Sequence, residues 1–405
     1  MLPNPVPALT LEARMHCTEP RMPVGPLLAP LQIGKPLPGI QWVAAHYESG
    51  FWLVCDYKMA KMVLSDQRFR RSDAVSRDTP NIFPYNPSSD AIISLEGAEH
   101  ARIRRLVNPM FTERRTAELK SFVARSVTNL LDDLEAQKTP ADFVSHVSSP
   151  LPFGVLCHLL GIPSGDREIF GSWVNVLFRL DGDKAVARQH SISLTRYMMQ
   201  VIAAKRREPS ADLISELITS AEGTGGITNR ELVTLCLSLL MAGFDSTADQ
   251  ITLCVLSMIM DRPLMSTLSY SPELIPRVAE EFLRLNPAPY ITFPRMAVEP
   301  VSIAGEVINA GQQVIVFLMG ANRDTSAFAL ADEVALKGPM PGHLTFGHGA
   351  HRCLGAPLAR LQLTTLLTEL VRRFPDLELA EDLSSLSWKE GTGTRGLRRL
   401  YVVSR

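Results

Sequence analysis

A glycine-rich loop with one cysteine, residues 346–355, constrains this 405-residue chain more than any other segment. It reads Phe-Gly-His-Gly-Ala-His-Arg-Cys-Leu-Gly, and a run of helix-favouring residues follows Cys353 closely. The unpaired N–H groups and the dipole at a helix N-terminus favour a thiolate over a thiol. Gly347, Gly349 and Gly355 allow the backbone to turn sharply or to approach a flat ligand. The loop therefore predicts a cysteine thiolate that binds a metal.

A structural zinc site is the alternative for this loop, with His348, His351 and Cys353 as ligands. A closed zinc site needs four ligands, and no Cys-x-x-Cys pair lies nearby to complete one. The zinc alternative is therefore disfavoured. The remaining cysteines have no paired spacing, as expected for reduced thiols in a cytoplasm. They are Cys17, Cys55, Cys157, Cys236 and Cys254.

Composition excludes several classes of protein. The formal net charge is −1, so nothing indicates a nucleic-acid partner. Residues 1–38 lack the basic end and continuous apolar core of a signal peptide, and no stretch approaches the ~20 uninterrupted apolar residues of a membrane span. No linker, charge block or repeat divides the chain. We expect one cytoplasmic domain over residues 1–405.

A long helix is predicted from the capping box of residues 228–231 to Met260. At about 1.5 Å per residue it would be about 50 Å long and would cross the molecule. Ala242, Asp245 and Ser246 lie near its middle. An acid in an apolar helix is costly unless it is paired or used. The alternative is that the acid and the hydroxyl only bend and solvate the helix.

The spacing Phe-Gly-x-Gly-x-His-x-Cys-x-Gly resembles the haem-binding loop of cytochromes P450 without a mismatch. The segment Ala-Gly-Phe-Asp-Ser-Thr, residues 242–247, resembles the family's oxygen-binding stretch, usually Ala-Gly-x-acid-Thr. The likeness covers nearly the whole chain. It implies the P450 fold, which is mainly α with small β-sheets, in the soluble bacterial form.

The resemblance implies haem b (iron protoporphyrin IX) as the cofactor. Cys353 is then the axial ligand of the iron, and its electron donation promotes O–O cleavage. His100 and Arg104, four residues apart on one helix face, would bind the haem propionates together with Arg295 and His351. The predicted cofactor-binding residues are His100, Arg104, Ala242, Arg295, Phe346, Gly347, His351, Cys353 and Gly355.

Asp245 and Ser246 are the predicted catalytic pair, because an acid and a neighbouring hydroxyl can relay protons to dioxygen. Ala242 and Gly243 would leave room for O2. Serine keeps the hydroxyl of the family's threonine but loses the β-branch that fixes its rotamer. Proton delivery is therefore expected to be less tightly controlled.

Glu281 and Arg284 resemble the family's Glu-x-x-Arg ion pair, whose role is structural. The family normally adds an arginine before the haem loop to complete a triad. Between Arg323 and Arg352 the only basic residue besides histidines is Lys337. Lys337 is therefore the candidate substitute, with weaker bidentate geometry, and the sequence leaves open whether it takes that place.

The implied reaction is reductive activation of O2, with two electrons from outside the chain. Ferredoxin and ferredoxin reductase are the expected partners, because neither is fused to the chain. A monomer is expected. An acidic ferredoxin could dock on a basic patch, for which a solvated face is the equal alternative. The patch would consist of Arg102, Arg105, Arg352 and Arg360.

The expected substrate is a neutral, largely apolar small molecule, because the predicted pocket carries few charges. Residues 272–322 look somewhat like bacterial P450s that oxidise cyclic dipeptides, so hydroxylation or oxidative coupling of an aromatic cyclic dipeptide in natural-product biosynthesis is an expectation. The predicted pocket residues are Phe83, Ile93, Met241, Phe244, Ala288, Ile291, Phe293 and Thr392.

Two other functions remain open from the sequence. A peroxygenase would use H2O2 directly, but that branch replaces the acid–alcohol pair by a basic residue, and Asp245 and Ser246 argue against it. A non-catalytic haem sensor would usually carry an output module, and the sequence shows none.

Overall fold

The fold is that of a computed structural model, which describes residues 39–44, 50–75, 88–137, 139–166, 168, 172–173, 184–222, 226–389 and 394–404. Three residues named above, Cys17, Phe83 and Thr392, lie outside the described residues.

Helices account for most of the described chain. The α-helices are α1 (Tyr57–Ser65), α2 (Arg71–Ala74), α3 (Gly97–Val107), α4 (Glu113–Glu118), α5 (Lys120–Glu135), α6 (Pro150–Leu160), α7 (Lys184–Arg207), α8 (Leu213–Glu222), α9 (Asn229–Met260), α10 (Arg262–Tyr270), α11 (Ile275–Leu285), α12 (Leu318–Ala321) and α13 (Ala356–Arg373). Short 3₁₀ turns lie at Asn108–Phe111, Ser164–Asp166, Pro272–Leu274, Gly349–His351 and Leu383–Ser385, and a π-helical turn lies at Val144–Ser148.

The strands are short and form small sheets. They are β1 (Ile40–Ala44), β2 (Gly50–Val54), β3 (Phe69–Arg70), β4 (Ala141–Asp142), β5 (Arg295–Ala297), β6 (Val301–Ile303), β7 (Glu306–Ile308), β8 (Gln313–Val316), β9 (Glu378–Leu379) and β10 (Tyr401–Val403). One sheet has the order β1-β2-β8-β5-β3, a second β4-β10-β9, and β6 pairs with β7. In the largest sheet β2 and β8 are parallel, with Phe51 opposite Gln313, and the other neighbours are antiparallel. The predicted fold class, mainly α with small β-sheets, is confirmed.

The long central helix begins and ends where the sequence predicts. The backbone N–H of Glu231 donates to the Thr228 hydroxyl at 3.2 Å, and the backbone N–H of Thr228 donates to the Glu231 carboxylate at 2.8 Å. These reciprocal bonds satisfy N–H groups that the first turn leaves unpaired. Asp261 ends α9 because its carboxylate caps α10 through Leu264, at 3.0 Å. The capping box therefore fixes one end, and the next helix fixes the other.

Helix α9 contacts α6, α7, α11 and α13. Its length and apolar composition would allow it to cross a membrane, but the core helix of a soluble protein meets the same criteria. The principal core gathers side chains from these helices, including Leu232, Val255, Phe282 and Leu366. Full burial of a side chain of this size contributes roughly 1.5–3 kcal/mol. The core thereby holds the middle of α9 and the start of α13 in fixed positions.

Glu281 and Arg284 form a buried ion pair on α11, with side chains 1% and 2% exposed. The guanidinium donates to both carboxylate oxygens, at 2.9 and 2.8 Å. Its donors also reach main-chain carbonyls at 2.8–3.1 Å. Those carbonyls belong to Asn322, Leu330, Ala331 and Glu333. The structural pair predicted from the sequence is therefore present.

Lys337 does not complete this pair, which answers the question that the sequence left open. Within the described residues its ammonium group forms no ion pair, and its main-chain carbonyl instead accepts a hydrogen bond from Arg277 at 2.8 Å. The backbone N–H of Ala335 donates to the Glu281 carboxylate at 2.8 Å. Main-chain groups thus take the place that the family gives to an arginine side chain.

We expect Glu281→Ala to destabilise the protein by about 3–5 kcal/mol, because it leaves the Arg284 charge buried without its counter-charge. Denaturant unfolding followed by circular dichroism measures the change. Glu369→Ala is the matched control, since Glu369 forms an (i,i+3) pair with the exposed Arg372 and such surface pairs contribute about 0–1 kcal/mol. Equal stability of the two variants would contradict the structural role of the buried pair.

Candidate active site

The cysteine loop makes two sharp turns before α13 begins. Gly347 and Gly349 have φ angles of +70° and +73°, in the left-handed region that favours glycine. A Cβ on Gly349 would lie 2.4 Å from the carbonyl oxygen of Leu64 at the end of α1. The backbone N–H of Cys353 donates to the Phe346 carbonyl at 2.7 Å and closes the loop. The turns therefore hold Cys353 just before the first residue of α13, as the sequence predicts.

Cys353 has an accessible side chain, whereas Cys55, Cys157, Cys236 and Cys254 are buried. The protein around Cys353 raises the pKa of its thiol by desolvation, while the backbone N–H groups of Gly355 and Ala356 act in the opposite direction, as do the nearby arginines. Helix-end stabilisation is thus present, but it does not outweigh the desolvation by the surrounding protein atoms. A metal ion would supply the missing stabilisation, because coordination deprotonates a thiol outright.

Phe346 lies beside the arginine of the first turns of α13. The Arg360 guanidinium lies 4.6 Å from the centre of the Phe346 ring, and it donates to the Glu280 carboxylate at 2.6 and 2.8 Å. Arg102, likewise, is paired with Glu231. Two of the four arginines predicted to form a basic docking patch are therefore neutralised by acids. Only Arg105 and Arg352 remain of that patch, and both are exposed.

Four predicted propionate-binding side chains come together from three parts of the chain. Helix α3 supplies His100 and Arg104, β5 supplies Arg295, and the cysteine loop supplies His351. The rings of His100 and His351 are 4.2 Å apart, centre to centre. Arg104 donates to the Arg352 carbonyl at 2.6 Å. Burial lowers the pKa of His100 to about 4, and the charges of His351, Arg104 and Arg295 also disfavour a second positive charge there.

Glu96 is an acid in this cluster that the sequence analysis missed. One carboxylate oxygen lies 3.1 Å from Nε2 of His351, and the other accepts the backbone N–H of Arg71 at 2.6 Å. Burial acts to raise the pKa of Glu96, but these hydrogen bonds and the nearby charges leave it lowered. A single carboxylate that precedes a helix gives no recognisable pattern, so no signal in the sequence marked it.

The cluster carries more positive than negative charge, which fits a flat cofactor with carboxylate side chains. Arg71 and Arg295 are 2% and 6% exposed, and both bear on the single charge of Glu96. The buried Nδ1 of His351 has no hydrogen-bond partner. A Cβ on Gly355 would meet no protein atom within 4 Å, so a ligand can approach there. With the accessible thiol, this donor set fits haem.

A zinc site is not supported. Among the described residues no group of three or more histidine, cysteine and acidic side chains could hold a metal ion. His351 turns its Nε2 toward Glu96 rather than toward Cys353 as a second ligand. The cysteine is thus left as a single protein ligand, which suits a metal already held by a cofactor.

Asp245 is not isolated in α9, because Lys389 bridges it to a second acid. The ammonium group lies 2.6 Å from Asp245 and 2.7 Å from Asp249, one helical turn later. Thr394 donates to Asp249 at 2.9 Å. The hydroxyl of Ser246 donates to the Ala242 carbonyl at 2.6 Å. Lys389 and Asp249 are not predicted from the sequence. Lys389 lies 144 positions from Asp245 along the chain, and Asp249 lies outside the motif of residues 242–247.

The pKa values of Asp249 and Lys389 are both shifted. Burial raises the pKa of Asp249 to about 7, and the charge of Asp245 adds to this effect. Burial alone would lower the pKa of Lys389, but the two carboxylates leave it raised. A Cβ on Gly396 would lie 2.0 Å from an Asp249 oxygen, so only glycine fits there. The segment that carries Lys389 is therefore held tightly against α9.

Gly243 and Phe244 face α6. A Cβ on Gly243 would come within 3.2 Å of the Leu156 side chain. The Phe244 ring lies edge-on to Phe153, with ring centres 5.7 Å apart, inside the principal core. The absence of a side chain at Gly243 thus lets α6 pack closely on α9, and Phe244 is buried at 6% exposure. Room for O2 at Ala242 and Gly243 stays a prediction.

The other predicted pocket residues differ in exposure. Ala288 has no accessible surface. Its backbone N–H donates to the Gln250 side chain, and its carbonyl accepts from the backbone N–H of Arg395. Ile291 is also buried, at 6% exposure. Phe293 is 37% exposed. Ile93 and Met241 are half-buried.

Comparison with known proteins agrees with this site. The sequence profile of the family described as "Cytochrome P450" matches residues 272–383. The chain is 37% identical to "Mycinamicin IV hydroxylase/epoxidase" of Micromonospora griseorubida, covering 89% of this chain and 91% of the relative. It is 35% identical to "Nocardicin C N-oxygenase" of Nocardia uniformis subsp. tsuyamanensis, covering 93% and 95%.

A solved structure of the mixed-function P450 MycG is similar throughout the fold. The TM-score is 0.84 at 35% sequence identity, and the match covers 92% of this chain and 94% of that one. Both the identity over the whole length and the architecture lead to one assignment. The chain belongs to the cytochrome P450 family and is a haem-thiolate monooxygenase of the bacterial, biosynthetic kind.

Proposed function

We propose that this monooxygenase hydroxylates or oxidatively couples a neutral, largely apolar small molecule during natural-product biosynthesis, using haem b and electrons from ferredoxin and ferredoxin reductase. The observation that carries the proposal is the accessible Cys353 at the start of α13 beside a buried excess of positive charge. The printed functions of two relatives, a hydroxylase/epoxidase and an N-oxygenase, support an oxygen-transfer reaction on a biosynthetic intermediate.

The residues present fit haem as follows. Cys353 would bind the iron through its thiolate, and His100, Arg104, Arg295 and His351 would hold the propionates through charge-assisted hydrogen bonds. When bound, the haem supplies the activation of O2, which no amino-acid side chain can provide. The protein's part is to hold the group, exclude water and place proton donors.

Asp245 and Ser246 would manage protons on α9. The Asp245 carboxylate is held by Lys389, which fixes one of its oxygens at 2.6 Å and leaves the other without a bond to this lysine. The Ser246 hydroxyl gives its hydrogen to the Ala242 carbonyl, so its oxygen can accept another hydrogen bond. An acid that carries the proton and a hydroxyl that positions it would then lie on adjacent residues.

The substrate proposal rests on charge and exposure. Three of the described candidate pocket residues, Ile93, Met241 and Phe293, are apolar and at least partly exposed. An apolar surface with few charged groups favours a neutral ligand. An aromatic cyclic dipeptide is the specific candidate that we retain. We also propose that the protein is cytoplasmic and monomeric.

A spectral screen followed by turnover tests the proposal. Candidate substrates, including aromatic cyclic dipeptides, are titrated into the holoenzyme while the Soret band is followed for the shift that accompanies displacement of water from the iron. Compounds that shift the band are then incubated with ferredoxin, its reductase and NADPH. We expect oxygenated or coupled product to form in this mixture without added peroxide.

Peroxide alone is the discriminating arm of this experiment. Product formed equally well with H2O2 and without ferredoxin would favour a peroxygenase. A holoenzyme that binds haem but converts none of its spectral ligands with either electron source would contradict an oxygenase and favour a sensor.

A further inference from the structure

Arg71 is a buried arginine that the propionate-binding set does not include. It lies at the start of α2, directly after β3, and its side chain is 2% exposed. Nη1 donates to the Pro294 carbonyl, next to Arg295. The guanidinium carbon lies 5.1 Å from the centre of the Phe293 ring. These contacts place Arg71 beside the cationic cluster and fix the plane of its guanidinium.

Two donors of this guanidinium, Nε and Nη2, are buried without a hydrogen-bond partner. Buried side-chain donors in folded proteins nearly always have a partner, and an unpaired donor on a charged group is especially costly. Nε and Nη2 lie on the same edge of the guanidinium plane. That edge presents two parallel N–H groups, the arrangement that binds both oxygens of a carboxylate.

No carboxylate of the described residues bonds that edge. Glu96 is the acid beside it, but one Glu96 oxygen bonds the main-chain N–H of Arg71 and the other bonds His351. Burial lowers the pKa of Arg71 to about 10, and the charge of Arg295 acts in the same direction, with only Glu96 opposing. The buried Arg71 guanidinium therefore lacks an anion at its Nε–Nη2 edge.

We propose that Arg71 is a further anchor for the carboxylate side chains of the haem, binding one propionate through the Nε–Nη2 edge, with Glu96 as the positioning residue that holds the Arg71 backbone and the His351 ring. The proposal rests on the proposed haem function. A neutral substrate would not satisfy the site, because it carries no negative charge. A purely structural arginine would need only the Nη1 contact and would leave the bidentate edge without purpose.

The test is the rate at which haem leaves the holoenzyme for an excess of apomyoglobin, which does not depend on turnover. We expect Arg71→Ala to release haem about 10- to 100-fold faster than the parent, as for loss of a charge-assisted hydrogen-bonded partner. Arg71→Lys should fall between them. Arg70→Ala is the matched control, since Arg70 is the preceding residue and is exposed; it should match the parent. Arg295→Ala serves as the positive comparison.

A second arm uses haem whose two propionates are methyl esters. Because that haem has no anion for Arg71 to bind, the Arg71→Ala and parent proteins should then release it at the same rate. Faster release of both haems from Arg71→Ala would show a general packing role and would overturn the proposal. So would unchanged release of ordinary haem.

The variants also separate this proposal from the haem assignment itself. If Arg295→Ala releases haem quickly and Arg71→Ala does not, the haem site stands and the Arg71 inference is wrong. If the parent chain takes up no haem with a thiolate spectrum, the proposed function fails first. Should Arg71→Ala not fold, Arg71→Lys carries the same comparison with both haems.

Discussion

Replacement of Cys353 by alanine should abolish the absorption band at about 450 nm in the reduced CO complex, since the thiolate's electron donation produces that band in this family. Cys353 is the accessible cysteine of the described chain and lies at the start of α13. A difference spectrum of the reduced protein with and without CO gives the result directly. Circular dichroism establishes whether the variant retains its helices.

Cys55→Ala is the control for this experiment, because Cys55 is a buried thiol away from the loop. Burial raises the pKa of Cys55 to about 12, and it leaves the thiol without a surface that a ligand could reach. The control should keep the band at full intensity per haem. A band that survives in Cys353→Ala would show that another group binds the iron.

Asp245→Asn should reduce substrate-dependent turnover by roughly 10²–10⁴-fold, the usual loss when acid–base help is removed. The substitution preserves size and keeps an oxygen that can accept a hydrogen bond from Lys389, but it removes the ionisable group. Substrate affinity, read from the Soret titration, should barely change. Product formed per minute at saturating substrate gives the comparison.

Asp249→Asn separates the proton role from the ion pair. Asp249 binds the same lysine one turn further along α9, at 2.7 Å. If breaking this charge cluster alone caused the loss, both variants would fall together. We expect the turnover of Asp249→Asn to stay within several-fold of the parent. The turnover of Asp245→Asn should be lower by at least ~10²-fold.

Ser246 provides the complementary observation. Ser246→Ala should release more hydrogen peroxide per NADPH consumed, because dioxygen would lose the hydroxyl group that Ser246 provides. Ser246→Thr should be tolerated or should couple better, since the β-branch restricts the rotamer. If Asp245→Asn and Ser246→Ala both turn over and couple like the parent, protons arrive by a different route.

Local patterns explain why much of the architecture could be predicted. The capping box at Thr228 specifies a helix start through reciprocal bonds only three residues apart, and the two left-handed glycines of the cysteine loop specify turns in the same way. His100 and Arg104 share a face because the helix repeat brings them together. Such signals need no knowledge of the rest of the chain.

The missed residues depend on contacts between distant segments. Glu96 meets His351 across 255 positions, and Lys389 meets Asp245 across 144. The fold alone decides which of many acids and bases are brought together at such separations. Arg71 illustrates the difficulty, because the adjacent Arg70 has the same side chain yet is exposed.

The absence of Lys337 from the Glu281–Arg284 pair has a different origin. Side-chain types alone point to a lysine as the replacement for the family's third arginine, whereas in the structure the backbone N–H of Ala335 donates to Glu281. A backbone N–H is a hydrogen-bond donor that every residue except proline carries, so it can take the position of an arginine N–H beside a carboxylate. A comparison of side-chain types is blind to such a solution.

The way Arg284 is held has a consequence for how this protein can change over time. Arg284 and Arg277 recognise residues 330–338 through carbonyl oxygens that every amino acid possesses. Side chains in that stretch can therefore be exchanged without weakening the grip, provided that the path of the backbone is kept. An inserted or deleted residue would instead move every carbonyl out of register. Residues 330–338 should therefore tolerate substitutions better than insertions or deletions.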